Sequence, residues 1–75
     1  MNATHGNEAL VIIGTNIKRI RTKVGFTQGE LARRVGLVRT SIVNIEAGRQ
    51  DTTILRLIDI AGAMGREVGW LVEGL

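Results

Sequence analysis

The apolar residues of this chain recur at three- and four-residue spacing in segments separated by glycine, a rhythm that predicts helices. Ile13, Ile17, Ile20 and Val24 make one stripe from about Gly14 to Val24, with Lys18, Arg19, Arg21 and Lys23 mostly off it, and Gly25 is placed to close this helix in a left-handed conformation. The periodicity reaches back to Leu10, so residues 1–9 read either as a flexible arm or as an early start of this helix, and residues 10–75 as the folded domain. Thr27-Gln28-Gly29-Glu30 has the form of a capping box, in which the Thr27 hydroxyl and the Glu30 carboxylate each take a free backbone N–H. A second helix therefore starts there, buries Leu31, Ala32 and Val35, and stops at Gly36.

A third helix follows at once over Leu37 to Ala47, with Ile42 and Ile45 inward and Gly48 as its stop. Thr52 and Thr53 are candidate caps for a fourth, whose expected core stripe is Ile54, Leu57, Ile58, Ala61 and Met64, closed by Gly65. A short fifth, about Glu67 to Glu73, carries Val68, Trp70, Leu71 and Val72. No segment alternates at period two for long enough to be a strand. The expectation is an all-α, compact five-helix bundle in which helices two and three, joined by the tight turn at Gly36, form a helix-turn-helix.

Charge sharpens this picture through its placement. From Lys18 to Arg49 there are eight Lys and Arg against Glu30 and Glu46, whereas Gln50 to Leu75 has Arg56 and Arg66 against Asp51, Asp59, Glu67 and Glu73. A basic front with an acidic back suits a polyanion on one face. The chain has no cysteine, which removes disulfides and thiolate chemistry and fits a reducing, cytoplasmic setting. The run Leu10-Val11-Ile12-Ile13 is too short to cross a bilayer, so no membrane is expected as a partner.

The chemistry is concentrated on the third helix. Arg39 and Val43 are four apart, as are Thr40 and Asn44, so they form two adjacent columns opposite Ile42 and Ile45. Arg39 could take guanine in a bidentate manner, Asn44 adenine, Thr40 a base or phosphate, and Val43 either a thymine methyl or a packing role. Gln28 occupies the first turn of the second helix, where free N–H groups and the positive dipole end favour a phosphate. Thr27, Ser41, Arg34 and Arg49 are further phosphate candidates, with Arg33 beside them. Glu46 sits at the negative end of the third helix and calls for a cationic partner. Trp70, Leu71, Val72 and Leu75 are many large apolar groups for a terminal segment; Leu71 reads as core, and Trp70, Val72 and Leu75 as a candidate dimer surface.

Two stretches, Phe26-Thr27-Gln28-Gly29-Glu30-Leu31-Ala32-Arg33-Arg34-Val35-Gly36 and Ser41-Ile42-Val43-Asn44-Ile45-Glu46-Ala47-Gly48, resemble the phage-repressor and Cro-type (XRE-like) helix-turn-helix family, the lambda-repressor-like DNA-binding domains. The likeness continues through Ile54, Leu57, Ile60-Ala61, Ala63-Met64-Gly65 and Trp70-Leu71. The resemblance implies a transcriptional regulator, most often a repressor, that binds a two-fold symmetric operator on double-stranded DNA as a homodimer. It also implies that Gln28 contacts the DNA backbone and that Arg21 pairs with Glu46 to brace the recognition helix. Two departures stand out: Thr52 where the family often has proline, and Val38 where a capping Ser or Thr is common.

An enzyme has little to build on, since His5 is the single histidine and neither a phosphate-binding glycine loop nor a metal-ligand cluster is present. No catalytic residue, metal, cofactor or small-molecule ligand is expected. A protein-interaction module of the same fold, an antitoxin or a bridging cofactor, and a restriction-modification controller remain open alternatives.

Overall fold

The computed structural model describes residues 3–75, with side chains from Asn7 onward. Its elements are α1 (Ala3–Val24), α2 (Gln28–Val35), α3 (Arg39–Glu46), α4 (Ile54–Ala63) and a single 3-10 turn at Val68–Trp70. No described residue lies in a strand. α1 starts at Ala3 rather than near Gly14, so of the two readings of residues 1–9 the described part follows the early start of the first helix, and Met1 and Asn2 lie outside the described residues. α3 is shorter than expected at both ends, running from Arg39 and not from Leu37.

The expected fifth helix is not present as such. The bonds Trp70 N–H to Glu67 carbonyl and Leu71 N–H to Val68 carbonyl close three-residue turns, which suit a segment too short to repay helix nucleation and interrupted by Gly69. The bundle is therefore four helices and a 3-10 turn.

The core is aliphatic: Ile17 and Ile20 of α1, Leu31, Ala32 and Val35 of α2, Ile42 and Ile45 of α3, Leu57, Ile60, Ala61 and Met64 of α4, and Leu71. Ile54 and Ile58, expected inside, are exposed, and Ile60 takes the inward place. With about 100° of rotation per residue, Leu57, Ile60, Ala61 and Met64 share one arc, and Ile54 and Ile58 fall on another. α4 is apolar on both, so spacing alone permits either to face the core.

Two close approaches set the shape. A Cβ at Gly14 would overlap the Ile45 and Glu46 carbonyl oxygens, so only glycine lets α1 cross the end of α3 at this distance. Asn16, buried on the inward side of α1, donates its Nδ2 to the Leu71 and Glu73 carbonyls, both at 2.9 Å, and so ties the C-terminal segment to α1. Sequence reading missed Asn16; its signal was a polar residue three after Ile13 and four before Ile20, within the apolar stripe. No helix among the described residues is long and apolar enough to cross a membrane.

Candidate nucleic-acid interface

The helix-turn-helix is built by local signals. Thr27 accepts the Glu30 N–H at 3.0 Å and its own N–H donates to the Glu30 carboxylate at 3.0 Å, so both halves of the capping box are formed. These bonds hold the Glu30 carboxyl below its ordinary value of 4.5, the Thr27 backbone N–H first, then the Thr27 hydroxyl, with Arg33 and Arg34 assisting. α2 ends at Gly36, whose φ of 71° lets the Leu37 N–H reach back to the Ala32 carbonyl at 2.9 Å. A side chain at that φ would be strained, and the turn lets α3 pack back against α2.

α3 begins on Val38, which has extended backbone and makes no side-chain cap bond. Ile42 and Ile45 are buried, as expected, and Glu46 is buried with them. Arg39 and Thr40 are exposed at its first turn; Ser41, Val43 and Asn44 are half-buried.

Behind this face lies a polar network. Arg21 donates from Nε to Glu46 Oε2 at 2.6 Å and from Nη2 to Oε1 at 3.0 Å, while its Nη1 holds the Phe26 carbonyl at 2.8 Å. The side chains are 11% and 3% exposed, so the pair is nearly dry. The remaining capacity of Glu46 Oε1 is met by Gln28 Nε2 at 3.1 Å, and Gln28 Oε1 in turn accepts from Arg39 Nη2 at 3.1 Å. Four residues from α1, α2 and both ends of α3 thus form one chain of bonds, and no buried side-chain polar atom among the described residues lacks a partner. Sequence reading placed Gln28 on its own at a helix start; its link between Glu46 and Arg39 comes only from the packing of α2 on α3.

The other expected contacts are dispersed around this centre. Arg49 is exposed and donates to Asn44 Oδ1 at 3.3 Å, a bond that does not use the Asn44 amide N–H groups. Arg34 stacks on the Phe26 ring at 4.3 Å to its centroid, with its guanidinium exposed. Thr27 is exposed at the start of α2, and Arg33 is exposed near its end. In the C-terminal segment, Trp70 and Leu75 are exposed and Val72 is half-buried, whereas Leu71 is fully buried. Arg56, which sequence reading passed over, donates to the Val35 carbonyl at 2.6 Å and so caps the end of α2 from α4.

Compared with known proteins, residues 17–71 match the helix-turn-helix family. The chain is 43% identical over 53 residues to an uncharacterized HTH-type transcriptional regulator of Methanothermobacter thermautotrophicus, a match covering 71% of this chain and 77% of that one. It is 35% identical over 60 residues to the immunity repressor protein of Bacillus phage phi105, covering 80% of this chain and 42% of the repressor. Among solved structures, the restriction-modification controller protein C.AhdI from Aeromonas hydrophila superposes with a TM-score of 0.80 at 29% identity, over 83% of this chain and 94% of the controller. The family match spans most of the chain and includes the capping box, the Gly36 turn and α3: the chain belongs to the helix-turn-helix family and is a DNA-binding transcriptional regulator.

Proposed function

We propose that this regulator is a cytoplasmic repressor that binds a two-fold symmetric operator as a homodimer, with α3 in the major groove of each half-site. The observation that carries this reading is the exposed first turn of α3, with Thr40 and with Arg39 held from behind by the Gln28–Glu46–Arg21 chain of bonds. A side chain held in place before binding loses less freedom on reaching a base edge. Arg39, Thr40 and Asn44 read bases, with Val43 beside them on the same face; Gln28, Thr27, Ser41, Arg34 and Arg49 meet phosphates.

Two apolar regions support the second copy. Trp70 and Leu75 are exposed at the C-terminal segment with Val72 between them, and Ile54, Leu55 and Ile58 stand out from α4. Apolar groups of this number on so small a surface mark a protein contact. The phage immunity repressor supports repression, and the controller supports a second setting, control of a restriction-modification system. Both settings use the same DNA-reading face.

The test is selection of bound sequences from a random DNA pool, followed by titration of the recovered site at two salt concentrations. Recovery of an inverted repeat with half-sites about 10 base pairs apart, or a multiple of that, and a steep salt slope is the expected result. Weak binding without sequence preference would overturn the reading and point to a protein-interaction role for the bundle.

A further inference from the structure

α2 and α4 both begin on threonine, whose hydroxyl accepts a backbone N–H of the first turn: Thr27 from Glu30 at 3.0 Å and Thr53 from Arg56 at 3.1 Å. α3 begins on Val38 with nearly the same extended backbone, φ −83° and ψ 154°, and no such bond. Serine or threonine would fit this conformation and stabilise the helix. Val38 is also no part of the core. It is 68% exposed, while Leu37 beside it packs against the core and Ile42 is fully buried. The free chain thus gains neither a cap nor burial from this valine, the kind of local departure that function retains.

Its position supplies the function. Val38 adjoins the exposed Arg39 and Thr40 at the N-terminal end of α3, the end from which a recognition helix contacts base edges. In the major groove the apolar feature that a branched aliphatic side chain can recognise is the C5-methyl of thymine. We infer that Val38 is a further specificity-determining residue, which packs on a thymine methyl next to the base read by Arg39. This rests on the reading that α3 enters the major groove. It also moves the apolar contact away from Val43, which is half-buried between its neighbours and has less surface to offer.

The experiment replaces each thymine of the selected operator, one at a time, with deoxyuridine, which removes only the methyl group. Affinities are measured for the native chain, Val38→Ser and Val43→Ala. The native chain is expected to lose about fourfold at one position per half-site, the worth of one buried methyl group. That loss should vanish in Val38→Ser and persist in Val43→Ala. Because serine supplies the absent cap, Val38→Ser should unfold at an equal or higher urea concentration, so the comparison does not depend on a misfolded variant. The inference is overturned if Val38→Ser keeps the same loss, or if the native chain is indifferent to every methyl while still preferring its operator. Absence of any operator preference would instead remove the groove-reading function itself, and this inference with it.

Discussion

α3 and α4 are short helices that each bury one side and expose the other, yet what they expose is opposite in kind. α3 turns Ile42 and Ile45 inward and presents Arg39 and Thr40. α4 turns Leu57, Ile60, Ala61 and Met64 inward and presents Ile54, Leu55 and Ile58, with Leu55 71% exposed. The polar face is backed by a nearly dry ion pair and can hold its side chains out to a charged, hydrated groove. An apolar face in water costs free energy until something covers it. One small bundle therefore presents two surfaces of opposite chemistry on two helices, and the polar one is backed by a buried ion pair that the apolar one lacks.

Removing that support should have the largest effect. Glu46→Ala leaves Arg21 charged and nearly buried, and should lower the unfolding free energy by about 3–5 kcal/mol in urea titration. A change below about 1 kcal/mol would mean that the pair behaves as a surface contact and that α3 is held by Ile42 and Ile45 alone.

Next comes the apolar face. Leu55→Glu should leave folding within about 0.5 kcal/mol of native, because the side chain is exposed. It should weaken the proposed dimer by about 2 kcal/mol in sedimentation equilibrium if Leu55 is a central contact. An unchanged dimer would return the interface to Trp70, Val72 and Leu75. On the polar face, Asn44→Ala should cost about 1–3 kcal/mol on specific DNA and relax the preference at one base position, with non-specific binding unchanged. Gln28→Ala should weaken binding to all sequences, and because Gln28 also holds Arg39 it should blur the base read by that arginine as well.

The smallest effect belongs to Glu30. Its carboxyl titrates below 4.5 in the folded chain, so its contribution is present above that pH and is lost as the pH falls through the folded value. Glu30→Gln should remove this acid-side loss and leave the neutral-pH behaviour of the two faces alone. Urea midpoints followed from neutral pH to below 4.5 decide it; identical slopes for both chains would assign the acid sensitivity to other carboxylates.

The parts readable from sequence are those whose cause lies within a few residues. Thr27 and Glu30 cap α2 because they stand three apart, and Gly36 ends it because glycine accepts the left-handed turn there. Ile42 and Ile45 mark the buried side of α3 by spacing, and Glu46 at its negative end calls for a cation. That the cation is Arg21 came from family resemblance, not from spacing, since the two stand 25 residues apart.

What tertiary structure alone decided has causes far apart in the chain. α4 carries two apolar arcs, and the shape of α2 and the 3-10 turn chose Leu57 and Ile60 over Ile54 and Ile58 for the core. Asn16 found its partners 55 and 57 residues away, and so ties down the segment that follows the 3-10 turn. Gln28 became a bridge between Arg39 and Glu46 only when α2 packed across α3. Local pattern fixes which faces a helix could bury; only contact with the rest of the bundle selects among them, because burial and hydrogen-bond satisfaction are properties of the packed whole.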